Sequence, residues 1–369
     1  MFNLHIIQAD HGDCFVIEYG KKKPYNYILI DGGPQDNYYK NLGPSLNYFK
    51  QKKGKLELII NTHIDSDHIM GINELLANRK KKKDTIDFKD LWFNSFEHSF
   101  NVEKGIAERL KKCFLRIKDF GIEGNSKAIY RSAGDAEVLK KLIVGLDVSI
   151  NPEYDGKPIS VNEDLRVIKK EGLELFLIGP TKSRLDALKK YCDEWLDKYE
   201  KKLKAKRGKE KEDLEIYIAA DASKPNLSSI MFLAQYEGKK ILFTGDGLGD
   251  DIIKGLEEIG LKAKGEIFEV DYLKIPHHGS KRNVVNGFLN KVIAEYYVIS
   301  GNDTDDNPDF LTLKWIAEAP LKQGVDIKKI FVTNETKNTI RLKEEIDEID
   351  FKYRLEIMPK NKNSWEIKI

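Results

Sequence analysis

Thr62-His63-Ile64-Asp65-Ser66-Asp67-His68 is the stretch on which the fold turns. It follows Leu56-Glu57-Leu58-Ile59-Ile60, a run apolar enough for a buried strand. Two imidazoles and two carboxylates directly behind such a strand are costly to desolvate unless they hold a cation. Alternate residues of an extended segment share a side. His63, Asp65 and Asp67 are therefore predicted to face one pocket, with His68 turning in beside them. Four donors within six residues crowd one tetrahedral ion, so the spacing suits two neighbouring divalent ions.

Three further segments place donors just past an apolar strand. Asp31-Gly32-Gly33 follows Tyr27–Ile30, and Asp246 follows Ile241-Leu242-Phe243 through Thr244-Gly245. His277 and His278 follow Leu273-Lys274-Ile275-Pro276. Four of the seven histidines thus fall in two of these segments. Asp-Gly-Gly or Thr-Gly-Asp-Gly alone is more often a turn. The weight lies in the set, with Asp246 as the natural bridging carboxylate and glycines at 32, 33, 71, 245, 247 and 279 admitting close backbone.

These segments resemble the metallo-β-lactamase superfamily, whose hallmark is an H-x-H-x-D-H run after a strand. They resemble more closely the branch containing the metallo-hydrolase domain of the ComEC/Rec2 competence proteins. There the run often reads H-x-D-x-D-H, as at 63–68, and a histidine pair before Gly-Ser ends the site, as at 277–280. Gly12-Asp13 ahead of the Asp-Gly-Gly turn and Asn226-Leu227-Ser228-Ser229 ahead of a strand match too. The likeness covers roughly residues 4–76 and 173–310.

It implies an α+β fold, a four-layer αββα sandwich, and one or two divalent ions serving a hydrolase. His63, Asp65, Asp67, His68, Asp246 and His278 are the implied metal ligands. Asp67 would help hold an activated water and His277 would protonate the leaving oxygen. Asn226, Ser228, Ser280 and Lys281 are expected near substrate, with Asp13 and Asp31 supporting the site. Two departures matter. The usual third-motif histidine has no counterpart, and Asp65 stands where the hallmark has its second histidine. One ion site is therefore thin and oxygen-rich, which tilts the preference from zinc towards manganese or magnesium while leaving zinc open.

The leading expectation is a phosphodiesterase or nuclease working through metal-activated water. The runners-up are a hydrolase of another ester, amide or thioester, and a metal-binding subunit of a larger assembly such as a defence or DNA-processing machine. Partners follow: a phosphodiester, nucleic acid among them, and a protein or second copy for the assembly reading. Lys+Arg and Asp+Glu number 62 and 60 in 369 residues, so the net charge of +2 advertises no general nucleic-acid or membrane surface. A third of residues are charged, mean hydropathy is −0.49, and no apolar run nears the ~20 residues of a membrane span. Met1-Phe2-Asn3-Leu4-His5 lacks the pattern of a signal peptide. Cys14, Cys113 and Cys192 read as reduced thiols, so a cytoplasmic protein is expected.

Strands are predicted at 2–8, 14–19, 27–30, 56–60, 88–93, 173–178, 230–235, 240–243, 273–275, 296–299, 329–332 and 353–358. Helices are predicted at 43–52, 70–78, 250–259, 284–294 and 310–318. The chain is read as one domain, 1–369, with 94–215 as a mainly helical elaboration between two halves of the core. Within it Ile106, Leu110, Phe114 and Ile117 recur at helical spacing, and 185–212 is a charged helical stretch ending in a protruding hairpin or loop. Residues 79–84 form a basic turn, solvated or touching phosphate. Trp315, Phe331 and Trp365 are core aromatics or, on the assembly reading, docking surface.

Overall fold

The computed structural model describes residues 1–94, 135–136, 138–161, 167–188, 190, 223–285, 287–322, 324, 327–345 and 354–369. The helical pattern at 106–117, Cys113, Cys192 and the charged stretch from 191 onward lie outside the described residues.

The first sheet contains β1 (Phe2–Ile7), β2 (Phe15–Tyr19), β3 (Asn26–Ile30), β4 (Lys55–Asn61), β5 (Asp90–Phe93) and β6 (Ser149–Ile150). The second contains β7 (Val167–Lys170), β8 (Leu173–Gly179), β9 (Met231–Tyr236), β10 (Lys239–Phe243), β11 (Phe268–Lys274), β12 (Val292–Ile299), β13 (Lys329–Val332) and β14 (Leu355–Ile357). The C-terminal β15 (Ser364–Lys368) returns to the first sheet, whose order is β15-β1-β2-β3-β4-β5-β6. The second runs β14-β13-β12-β11-β10-β9-β8-β7. Each sheet is mixed. The first changes from antiparallel to parallel pairing between β2/β3 and β3/β4, the second between β9/β10 and β10/β11.

Strands buried on both faces need continuous apolar sequence rather than alternation, and Phe2–Ile7, Phe15–Tyr19 and Asn26–Ile30 are buried throughout. Their inner faces meet across the sandwich: Leu4, Ile17, Ile28 and Trp92 share a core with Leu175, Phe232, Phe243 and Tyr272. The outer face of the first sheet is covered by α1 (Gly43–Gln51) and α2 (Ser66–Lys80), through Leu46, Phe49, Ile69, Ile72 and Leu76. The second is covered by α3 (Gly249–Glu258), α4 (Phe310–Lys322) and α5 (Lys337–Glu345), through Ile252, Leu256, Leu313, Ile316 and Leu342. This is the expected αββα sandwich.

Two expectations are corrected. The helix expected at 70–78 begins at Ser66, so Asp67 and His68 stand on its first turn instead of an extended segment. The expected helix 284–294 is a short turn, Lys281–Val284, followed by strand from Val292. Val292-Ile293-Ala294 favours the parallel ladder with β11 over helical spacing. Phe331 is buried and takes Trp365 edge-on at 5.0 Å, so both belong to the packing, and Trp315 packs partly buried against the core of the second sheet. At the basic turn, Arg79 donates to Phe88 O at 2.8 Å and pairs with Asp87, while Lys80 to Lys83 are exposed. No helix among the described residues is long and apolar enough to cross a membrane.

Candidate metal centre

The ends of β3, β4, β10 and β11 meet where both sheets change to parallel pairing, a place where carboxyl ends of neighbouring strands leave a crevice. Backbone contacts fix the convergence. Gly32 N donates to His68 O at 2.7 Å and Gly71 N to Gly33 O at 3.1 Å, docking α2 on the turn after β3. A Cβ on Gly71 would lie 1.9 Å from Gly32 O, and one on Gly12 would lie 1.9 Å from Asp67 O, so both positions exclude any side chain. Asp31 itself has φ 56°, a left-handed conformation that aspartate tolerates better than most residues.

The four histidines share one arrangement. His68 Nδ1 donates to Asp31 Oδ2 at 2.8 Å, and His278 Nδ1 donates to Ser300 O at 2.9 Å. Asn283 Oδ1 accepts from His277 Nδ1 at 2.7 Å. Thr62 Oγ1 gives its own proton to Asp31 Oδ2 and accepts from His63 Nδ1 at 3.0 Å. With every Nδ1 occupied, each ring turns its Nε2 inward, the way second-shell partners orient metal-binding imidazoles.

All four Nε2 atoms face one oxygen. Asp246 Oδ2 lies 3.7 Å from His63, 3.4 Å from His68, 3.7 Å from His277 and 3.5 Å from His278. Asp65 Oδ2 lies 3.6 Å from His63 Nε2 on one side. On the other, Asp67 Oδ2 lies 3.7 Å from His68 Nε2 and 3.2 Å from His278 Nε2. His68 is shared between two groups of ligand atoms, one with His63 and Asp246 and one with Asp67 and His278, while Asp65 reaches His63 without joining either group. The ligand atoms of His63, His68 and Asp246, and of Asp67, His68 and His278, lie within 4.8 Å of one another in each group.

Divalent ions fit this set. The Nε2 atoms of His63 and His68, both aimed at Asp246 Oδ2, are buried without a hydrogen-bond partner, which a protein interior rarely tolerates. Charge follows the same logic. Burial opposes ionisation of Asp246, but His68, His278 and His277 hold its carboxyl well below the usual range. Burial likewise opposes a charged His278, yet Asp246 and Asp13 push it up to about 10, and Asp246, Asp67 and Asp31 raise His68 against its own burial. The pocket demands positive charge, supplied by protons where no metal is bound.

The expected residues are placed unequally. Asp31 lies directly behind His68, its Oδ2 accepting from Nδ1. Asp13 is buried, with Oδ1 3.5 Å from His278 Nδ1. His277 is the more exposed member of its pair, at 29%, and stands beside Asn226, whose Nδ2 lies 3.3 Å from its Nε2. His277 and His278 both have positive φ, 45° and 52°, so consecutive left-handed residues aim two rings at one carboxylate. Ser228 is turned away, its hydroxyl donating to Pro225 O at 2.6 Å. The neighbouring Ser229 faces the donors, accepting from Asp246 N at 3.1 Å with its hydroxyl 3.4 Å from His63 Nδ1. Ser280 is buried at the turn, and Lys281 is held by Asp309 through both its backbone N, at 2.8 Å, and its Nζ, at 3.2 Å.

Lys274 and Asn283 escaped sequence reasoning as site residues, and Ser229 entered it only as the last residue of the Asn226–Ser229 element. Asn283 links the pair to the bridge, donating Nδ2 to Asp246 O at 2.8 Å while its Oδ1 holds His277. Lys274 is 2% exposed and lies within reach of Asp13, Gly245 O and Asp246. Its position directly before Ile275-Pro276-His277-His278 was the available signal, a charge inside an otherwise apolar strand end.

No curated protein matches the chain. Among solved structures, it is similar to the metallo-beta-lactamase fold protein YhfI from Bacillus subtilis, at 10% identity and TM-score 0.41, over 99% of this chain and 98% of that one. It is also similar to CmlA, a diiron beta-hydroxylase from Streptomyces venezuelae, at 10% identity and TM-score 0.39, over 100% of this chain and 54% of that one. Residues 7–165 match the family model described as Metallo-beta-lactamase superfamily, and Asp13, Asp31 and the 63–68 run lie within the matched stretch.

Proposed function

We propose that the chain is a metal-dependent phosphodiesterase, with nucleases inside that class, acting through metal-activated water. One observation carries the reading: four imidazole Nε2 atoms held around a single carboxylate oxygen, flanked by Asp65 and Asp67. The chemistry a bound divalent ion would supply there is a water of lowered pKa and polarisation of the attacked centre. Three carboxylates beside the imidazoles favour manganese or magnesium over zinc.

The chain's own groups do the rest. His63 and Asp65 on one side, and Asp67, His68 and His278 on the other, would hold metal, with Asp246 shared. His277, half open to the mouth with Nδ1 tied to Asn283, can carry a second proton on Nε2 and deliver it to a leaving oxygen. Asn226 Nδ2 beside it offers a donor to a phosphoryl oxygen. Lys281 would have to leave Asp309 to meet an anionic substrate, and this favours the second reading, an uncharged ester, amide or thioester.

The deciding experiment supplies the purified chain with manganese, magnesium or zinc and offers single- and double-stranded DNA, RNA, a generic aryl phosphodiester and aryl carboxylic esters. Metal-dependent phosphodiester cleavage, lost together with bound metal in Asp67→Ala, is expected. Turnover of carboxylic esters alone would transfer the assignment to the second reading. Metal binding without turnover would point to a metal-containing subunit of a larger assembly, docked on a protein partner or a second copy.

A further inference from the structure

Lys274 stands at the end of β11 with its ammonium sealed under the centre. Nζ forms an ion pair with Asp13 Oδ2, donates to Gly245 O at 2.8 Å, and sits 3.6 Å from Asp246 Oδ1. Asp13 arrives from the first sheet's β1–β2 connection and Lys274 from the second sheet, so the pair crosses the sandwich beneath the site. The two oxygens of Asp246 are thereby divided. Oδ2 faces the four Nε2 atoms, and Oδ1 faces the ammonium. A buried lysine is expensive to desolvate and an apolar residue of similar volume would pack as well, so its charge calls for a role.

We propose that Lys274 is a resident cation of the metal centre, a positioning residue that reserves Asp246 Oδ2 for the ions and limits how tightly the carboxylates hold them. A fixed positive charge within Coulomb range of a bound cation weakens that cation's binding. It also withdraws donor strength from Asp246, leaving the metal more electron-poor and a better Lewis acid. This rests on the divalent-metal reading of the cluster and not on the choice of substrate.

Charge and architecture make opposite forecasts. The full-length chain is titrated with Mn2+ alone against a fluorescent chelator, at fixed pH and ionic strength. The series is wild type, Lys274→Gln, Asp13→Asn, the Asp13→Asn/Lys274→Gln double variant and Lys274→Arg. Folding of each is checked by circular dichroism. If Lys274 acts through its charge, Lys274→Gln binds Mn2+ about tenfold tighter and Asp13→Asn about tenfold weaker, while the charge-balanced double variant stays within about threefold of wild type. Lys274→Arg, keeping the charge, should rescue the wild-type Kd.

Weakened binding in both single variants, with the double variant no better, would mean a structural brace and would overturn the proposal. Identical affinity across the series would overturn it too. Should Lys274→Gln fail to fold, Asp13→Asn and the double variant decide: recovery of affinity in the double supports the proposal, and further loss sinks it. Failure of wild type to bind Mn2+ would instead remove the metal reading itself.

Discussion

Among the described residues, histidine is buried against carboxylate in two places, and the two differ in how far their polar atoms are satisfied. Under α1, His5 Nε2 lies 2.9 Å from Glu18 Oε2, which also accepts from Asn3 Nδ2 at 3.1 Å. Tyr27 OH donates to Glu18 Oε1 at 2.9 Å, and the His5 ring packs edge-on against Phe49 at 4.8 Å. Both oxygens of that carboxylate are satisfied, and the cluster is closed. At the metal centre His63 and His68 are buried as deeply, yet their Nε2 atoms and Oδ1 of Asp13 and Asp246 find no hydrogen-bond partner. Burial of a histidine-carboxylate pair is therefore no mark of function. What marks the centre is bonding capacity left over after every Nδ1 has been occupied.

The sharpest way to break this contrast is to remove the bridge. Asp246→Asn should lose Mn2+ binding and lower phosphodiester turnover by roughly a thousandfold or more, the scale of deleting a principal electrostatic group. Glu18→Gln should leave turnover per folded molecule unchanged. Wild-type metal content and turnover in Asp246→Asn would dissolve the distinction. For stability the order reverses. Glu18→Ala leaves His5 unpaired in the interior and should cost about 3–5 kcal/mol, read from the urea midpoint, with metal stoichiometry untouched. Metal acts on the other cluster only. Free Mn2+ at about a hundred times its Kd should add roughly 2.7 kcal/mol to wild type, and the same increment to Glu18→Ala. A smaller increment in the variant would show that the two clusters are coupled.

The contrast also explains how much was legible in the sequence. Donors that follow apolar strands directly announce themselves, so Asp31, His63, His68, Asp246 and the 277–278 pair were readable as one constellation, and the four layers were what the resemblance carried by those segments implied. His5 and Glu18 sit inside strands at ordinary alternation and announce nothing. The residues that brace these donors were hidden for a different reason. Ser229 and Asn283 reach the site through registers set by turns at 226–229 and 280–284, and Lys274 through a partner, Asp13, more than two hundred residues away in the chain. Short-range pattern carries no trace of such pairings. The helix expected at 284–294 failed likewise, since parallel pairing with β11 outweighs local propensity.

Asn283 offers a finer cut at the same boundary. Asn283→Ala removes the acceptor on His277 Nδ1 and the donor to the Asp246 backbone O while leaving every proposed ligand side chain in place. Turnover should fall about 10- to 100-fold, the usual effect of losing a partner that orients a ring at a metal site. Bound metal should stay near the wild-type level, because His278 keeps its own anchor on Ser300 O. A loss of metal as large as the loss of turnover would place His277 among the ligands instead of at the mouth.

The gentlest test uses pH alone, and the two clusters should answer with opposite sign. Burial pushes the Glu18 carboxyl up, but hydrogen bonds from His5, Tyr27 and Asn3 hold it below its ordinary 4.5. A depressed carboxylate contributes stability that is present above its unfolded pKa and lost as pH falls through the folded value. Wild type should therefore weaken on acidification below about pH 4.5, and Glu18→Gln should show a flatter acid limb. His278 behaves in reverse. Burial disfavours its charge, yet Asp246 and Asp13 raise it to about 10 from an ordinary 6.5, so in the metal-free protein its contribution is full below pH 6.5 and lost as pH rises through about 10. Metal must displace that proton. Mn2+ binding at pH 7.5 should accordingly release protons, seen as a binding enthalpy that changes with the ionisation enthalpy of the buffer, and its affinity should climb with pH. Buffer-independent binding would mean that the rings are already neutral, and the centre would then be as closed to protons as the His5–Glu18 cluster is to metal.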